Sequence, residues 1–152
     1  MATLHTIGYE DTTVARFLDT LSEAGVELLV DVRAVANSRR PGFAKTKLAA
    51  NVGERGIEYL HLRGLGTPAD GRAAARAGNH AEMHAVFAEH LQTEAAQGDL
   101  ETLASIVRSG RRACLLCLEA DPEHCHRSLV AAALQPLAPA EVVHLRPDRD
   151  ED

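Results

Sequence analysis

Leu28-Leu29-Val30-Asp31-Val32 is the stretch that decides the fold. A strand with one face in water alternates apolar and polar residues. This run is apolar on both sides of the chain, so it predicts a short strand covered on both faces. Ala113-Cys114-Leu115-Leu116-Cys117-Leu118 is the most apolar run and the expected central strand. Strands buried on both faces call for helices above and below a parallel sheet.

The pattern continues outward from these runs. Leu4 to Tyr9 predicts a first strand, and Val14, Phe17, Leu18 and Leu21 fall at helix-face spacing before a stop near Gly25. Ala34 to Ala44, with Asn37, Ser38, Arg39, Arg40, Pro41 and Gly42, reads as a loop. A short helix over Lys45 to Arg55 and a strand over Ile57 to Leu62 follow. The glycine-rich segment Gly64 to Asn79 reads as long and partly flexible, with an Ala-rich turn at Arg72 to Arg76. Met83, Val86, Phe87 and Leu91 mark one amphipathic helix, and Leu100, Leu103 and Val107 mark another that stops near Gly110. A helix over about Glu123 to Leu137, capped by Asp121 with Pro122 in its first position, and a strand over Glu141 to Leu145 complete the series. The alternation predicts an α/β fold: a single three-layer domain over residues 1–147, Rossmann-like and doubly wound. Its sheet is mostly parallel, with about five strands.

The chain has 152 residues, 45% apolar and 25% charged. A domain of this size buries roughly 68–70% of its unfolded surface, enough for one core without disulfides. The composition excludes a disordered chain, a collagen-like chain and a disulfide scaffold. The net charge is −6, but four acids sit in the tail 148–152. Without the tail, fifteen basic residues face eighteen acidic ones, a balance of −3. This excludes a wholly basic nucleic-acid glove but leaves room for a local basic cleft. No run reaches the length of a membrane span, and the N-terminus lacks the pattern of a signal peptide. Three cysteines with no secretory context predict reduced thiols and a cytoplasmic setting.

Ligands of open parallel sheets bind beyond the C-terminal ends of the strands. The polar and glycine-rich residues of this chain fall there: Gly8-Tyr9-Glu10, Asp31-Val32-Arg33 with the Ser38-Arg39-Arg40 loop, Arg63-Gly64-Leu65-Gly66, and Cys117-Leu118-Glu119 with Cys125-His126-Arg127. Cys117 and Glu119 share one strand face, and Cys114 points to the other. That conflicts with a shared metal on Cys114 and Cys117, and Cys114 reads as a buried core thiol. Cys117 and Cys125 could meet at the crevice floor. His126 either bonds a strand-end carbonyl or serves as an acid/base group. Arg33 and Arg127 either bind an anion or pair with Asp31 or Glu119. Cys117, Cys125 and His126 suit zinc in type, but no fourth ligand is evident. Glu82 lies between His80 and His84, but not in the order of a zincin motif, so that helix face reads as solvated. Tyr9 either meets a ligand or covers the strand end.

The set Thr6-Ile-Gly-Tyr9, Asp31-Val-Arg33, Ser38-Arg39 with Phe43, Gly56-Ile-Glu-Tyr59, Leu65-Gly66, and Cys117-Leu-Glu119 with Cys125-His-Arg127 resembles the domain-of-unknown-function 488 family, DUF488. The order and spacing of these pieces carry the resemblance across nearly the whole chain. It implies a small α/β domain with a cleft built from these motifs, and no particular reaction. Such proteins often have two consecutive glycines where this chain has Leu65-Gly66-Thr67, so a less permissive backbone is expected there.

The leading expectation is binding of an anionic ligand, a nucleotide or nucleic-acid element, in the strand-end crevice. Its candidate ligand-binding residues are Tyr9, Asp31, Arg33, Ser38, Arg39 and Arg127. The candidate catalytic residues are Cys117, Glu119, Cys125 and His126, which could support hydrolysis or group transfer. The alternatives are a structural metal or thiol-redox module on Cys117, Cys125 and His126, and a non-catalytic interaction domain with a fixed salt-bridge network. The sequence leaves the cofactor unknown. The Met83 helix offers a face for a homodimer, although nothing in the sequence demonstrates one.

Overall fold

The computed structural model describes residues 2–119, 121–122 and 125–147. The acidic tail 148–152 and Glu123, the expected start of the last helix, lie outside them. The elements run β1 (Ala2–Gly8), α1 (Val14–Glu23), β2 (Leu28–Asp31), α2 (Lys45–Gly53), β3 (Glu58–His61), a 3-10 turn (Arg63–Leu65), α3 (Ala69–Arg76), α4 (His80–His90), α5 (Glu94–Arg108), β4 (Ala113–Cys117), α6 (Arg127–Leu134) and β5 (Ala140–Leu145). The sheet is parallel throughout, in the order β3-β2-β4-β1-β5. The apolar run at 113–117 is the central strand, buried along its whole length.

Alternation along the strands divides the core in two. Leu28, Val30, Ala113 and Leu115 face α4, α5 and α6, in a cluster with Phe87, Leu103, Val107 and Val130. Leu29, Cys114 and Leu116 face α1 and α2, in a cluster with Phe17, Leu21, Leu48 and Val52. The chain leaves β1 and β2 toward one face and leaves β4, which lies between them, toward the other. The backbone parts above the end of β4, and this topological switch point opens a crevice.

Local chemistry sets the element ends. The Thr13 hydroxyl accepts the Arg16 N–H at 3.2 Å and starts α1, while Thr93 does the same for Ala96 in α5. Gly25 and Gly110 take φ values of +72° and +86° just after α1 and α5, where sequence places the stops.

Two expectations need correction. Gly64 to Asn79 is not a flexible segment with one turn: it contains the 3-10 turn and the two-turn helix α3, which packs on α4. Gly71 and Ala74 face inward there, small enough for close helix contact. The last helix begins at Arg127, with His126 in the cap position and no side-chain cap, so Asp121 and Pro122 do not start it. Cys125 and His126, just before it, lie against Cys117 at the end of β4.

Candidate functional site

A cleft of about 560 Å³ opens at the switch point. It is lined by the segments that follow β1, β2 and β4, and by α3 and the start of α4. Tyr9, Arg33, Cys117, Glu119 and His126 line it. Ser38, Arg39, Asp31, Cys125 and Arg127 do not.

Cys117, Cys125 and His126 converge at the cleft floor, all three buried, with their ligating atoms within 4.8 Å of one another. The Cys117 sulfur is 3.5 Å from His126 Nδ1, and the Cys125 sulfur is 3.8 Å from it. His126 Nε2 lies 2.7 Å from the Val32 carbonyl. A carbonyl only accepts, so Nε2 carries a proton and Nδ1 faces the two sulfurs. Phe87 of α4 packs against the imidazole with ring centroids 5.1 Å apart. The ring is thereby held by three elements, and the carbonyl-bonding alternative read from sequence describes it.

The two thiols differ in character. Burial opposes ionisation of Cys125, but hydrogen bonds from the Cys117 thiol and His126, with the charge of His126 and Arg127, hold its pKa well below the ordinary value. Cys117 is pushed well up, first by its hydrogen bond to Cys125 and then by burial. Burial lowers the His126 pKa, but its hydrogen bond to Cys125 and the Cys125 charge outweigh that and raise it. Glu119 is pushed up to about 8, first by burial and then by the Cys125 charge. These shifts favour the thiolate on Cys125, the protonated ring on His126 and the neutral form of the Glu119 carboxyl beside them. Cys114 sits in the opposite core, where burial pushes its thiol far up.

Arg33 is committed to the fold. Its Nε and Nη2 donate to the two oxygens of Asp31 at 2.9 and 2.7 Å, and Nη1 donates to the Phe43 carbonyl at 2.8 Å and the Tyr9 hydroxyl at 3.3 Å. Asp31 also accepts the Tyr59 hydroxyl. Tyr9 stacks on Phe43 at 4.6 Å and is 3% exposed, so it covers the strand end. Arg127 is fully buried: Nε donates to Thr6 Oγ1 at 3.1 Å and Nη1 to the Glu119 carbonyl at 2.5 Å. Ser38 accepts the Arg40 N–H, and Arg39 is exposed away from the cleft lining.

Sequence reasoning missed Arg72, Arg76 and His80, which line the cleft. Arg72 and Arg76 are four apart on α3 and share a face. That spacing was readable, but glycine content concealed the helix. His80 and His84 are half-buried, not on a solvated face. Gly66 packs on Ala34, where an added Cβ would come within 2.3 Å of its backbone. Its φ of −83° is ordinary, so close approach explains the glycine.

Among the described residues, no helix is long and apolar enough to cross a membrane. Neither a curated protein nor a solved structure matches the chain. The family model described as "Domain of unknown function DUF488" matches residues 13–134. That span begins at the cap of α1, ends with the last residue of α6, and carries the whole Cys117–Cys125–His126 floor, so the chain belongs to the DUF488 family.

Proposed function

We propose that the cleft binds a small anionic ligand of the nucleotide class, and that its floor acts on that ligand by hydrolysis or group transfer. The observation that carries this reading is the pairing of Arg72 and Arg76 with the reactive floor in one cleft. Arg33 and Arg127 are buried and held by internal partners, whereas Arg72, with one N–H on the Thr67 carbonyl, and the exposed Arg76 stand at the cleft wall, so the charge offered to a ligand comes from α3. Glu119 with its proton retained reduces the opposing negative charge. The cleft's size lies in the range of small-molecule sites, roughly 300–1,000 Å³. Val35 and Leu118, exposed at 55% and 41%, also line it and offer an apolar surface to a base or similar group. A nucleic-acid strand is less favoured, since the Tyr9 ring is covered and offers no stacking platform. In this proposal the protein works in a reducing, cytoplasmic setting.

Calorimetric titration with inorganic phosphate, pyrophosphate and nucleoside mono- and diphosphates tests the reading at two salt concentrations. The Arg72→Ala/Arg76→Ala variant should bind at least about tenfold more weakly, the loss expected for charge-assisted hydrogen bonds. Equal binding by the variant, or no binding of any of these anions, would remove the proposal.

A second reading, a thiol-redox centre, is supported by the hydrogen bond between Cys117 and Cys125, which holds the Cys125 pKa down. Oxidised glutathione should then convert the two thiols to a disulfide that dithiothreitol reverses, as read by intact mass. A chain that keeps all three thiols free after this treatment counts against it.

A further inference from the structure

We infer that Cys117, Cys125 and His126 form a zinc(II) site with three protein ligands, whose remaining coordination position opens to the cleft.

The geometry points there independently of any anion. Zinc takes thiolate sulfur at about 2.3 Å and imidazole nitrogen at about 2.0–2.1 Å in a tetrahedron, which sets sulfur–nitrogen edges of about 3.6 Å. The two edges here are 3.5 and 3.8 Å. The third edge, sulfur to sulfur, should be about 3.8 Å in such a tetrahedron; here every pair of the three atoms lies within 4.8 Å. The two sulfur–nitrogen edges thus match a zinc tetrahedron, and the three donors lie close enough together to share one ion.

The support behind the donors fits as well. Zinc-bound histidines characteristically donate their other ring N–H to a carbonyl or carboxylate, which fixes the tautomer. His126 does this through Nε2 to Val32, and Phe87 holds the ring's tilt. Arg127, next to His126, is anchored to Thr6 of β1 and to the Glu119 carbonyl after β4. Two sulfurs and one nitrogen select a thiophilic d-block ion over magnesium or calcium, which take oxygen. Binding releases two protons from the three-residue set to solvent, whichever of its members carry them beforehand.

Cys117 and His126 line the cleft, and Cys125 lies fully buried behind them. The position left after three protein ligands therefore faces the cavity, where a water or a ligand atom would complete the tetrahedron. Three protein ligands and an open position are the arrangement of catalytic zinc, in contrast to four-ligand structural sites.

The full chain, purified without chelator or with zinc chloride added and excess removed by gel filtration, should carry one zinc per chain by mass spectrometry. Cys117→Ser and Cys125→Ser should each lose it, with circular dichroism confirming that they remain folded. Cys114→Ser, altered in the opposite core, should retain it. Should either single variant fail to fold, wild-type protein loaded with cobalt(II) keeps the test decisive, since a tetrahedral dithiolate site gives intense thiolate-to-cobalt absorption and strong visible bands. Azide added to the cobalt form should shift those bands if the fourth position is open. A zinc-free chain after reconstitution, or folded Cys117→Ser and Cys125→Ser variants that keep their zinc, would overturn the site. Cobalt bands indifferent to azide would overturn the open position. Every readout is metal content or metal spectrum, so the result stands apart from anion binding in the cleft.

Discussion

His126 joins the start of α6 to the end of β2: its Nε2–H donates to the Val32 carbonyl at 2.7 Å. Removing this donor leaves a buried carbonyl without its imidazole partner. His126→Phe keeps much of the volume against Phe87 but loses the hydrogen bond. In chelator-treated protein it should cost about 1–3 kcal/mol of stability, measured by urea denaturation. An unchanged midpoint would mean that the bond is not formed in solution.

Asp31 and Arg33 form a buried pair at 0% and 6% exposure. Removing one partner strands the other charge, so Asp31→Leu should cost about 3–5 kcal/mol. The double variant Asp31→Leu/Arg33→Met should lose less than the two single losses combined. A double-mutant cycle by chemical denaturation reads this coupling, and strict additivity would contradict the pairing.

Glycines at 66 and 98 should respond in opposite directions. A Cβ at Gly66 would meet the Ala34 backbone at 2.3 Å, whereas one at Gly98 in α5 meets nothing within 4 Å. Gly66→Ala should destabilise by about 1–3 kcal/mol through overpacking. Gly98→Ala should stabilise by about 0.5–1 kcal/mol through helix propensity. Thermal melts compare them directly, and similar shifts in both would refute the close approach at Ala34.

Glu119 makes stability depend on pH. Burial, followed by the Cys125 charge, raises its carboxyl from 4.5 to about 8. The folded chain therefore holds this proton more tightly than the unfolded chain. Its stabilising contribution is complete below the unfolded value and fades as pH rises through the folded one. Glu119→Gln stays neutral throughout, so in metal-free protein its melting temperature should gain on wild type between about pH 5 and about pH 9. Parallel pH profiles for the two proteins would show that the carboxyl is not held protonated.

Much of the layered fold was legible locally. The runs at 28–32 and 113–118 announce strands covered on both faces, because a strand with one wet face alternates. Gly25 and Gly110 mark helix ends because a left-handed stop favours glycine. α3 was not legible, because its glycine and its glycine-rich flanks outweighed the helical spacing of Arg72 and Arg76. The start of α6 was misread because Asp121 and Pro122 are good helix starters, whereas the α-helix begins only at Arg127.

The sequence by itself determined which residue types reach the strand ends. Cys117 and Glu119 follow from strand period alone, as does the placement of Cys114 in the other core. Only the tertiary structure decided which of them meet. Asp31 and Arg33 face each other because they lie two apart at a strand end, but whether Arg33 served a ligand or Asp31 depended on the cover supplied by Phe43 and Tyr9. Cys125 and His126 lie far from Val32 in the chain, and the order β2-β4-β1 brings them together. Strand order is set by crossover packing across the whole sheet, a long-range property that no local window of residues contains.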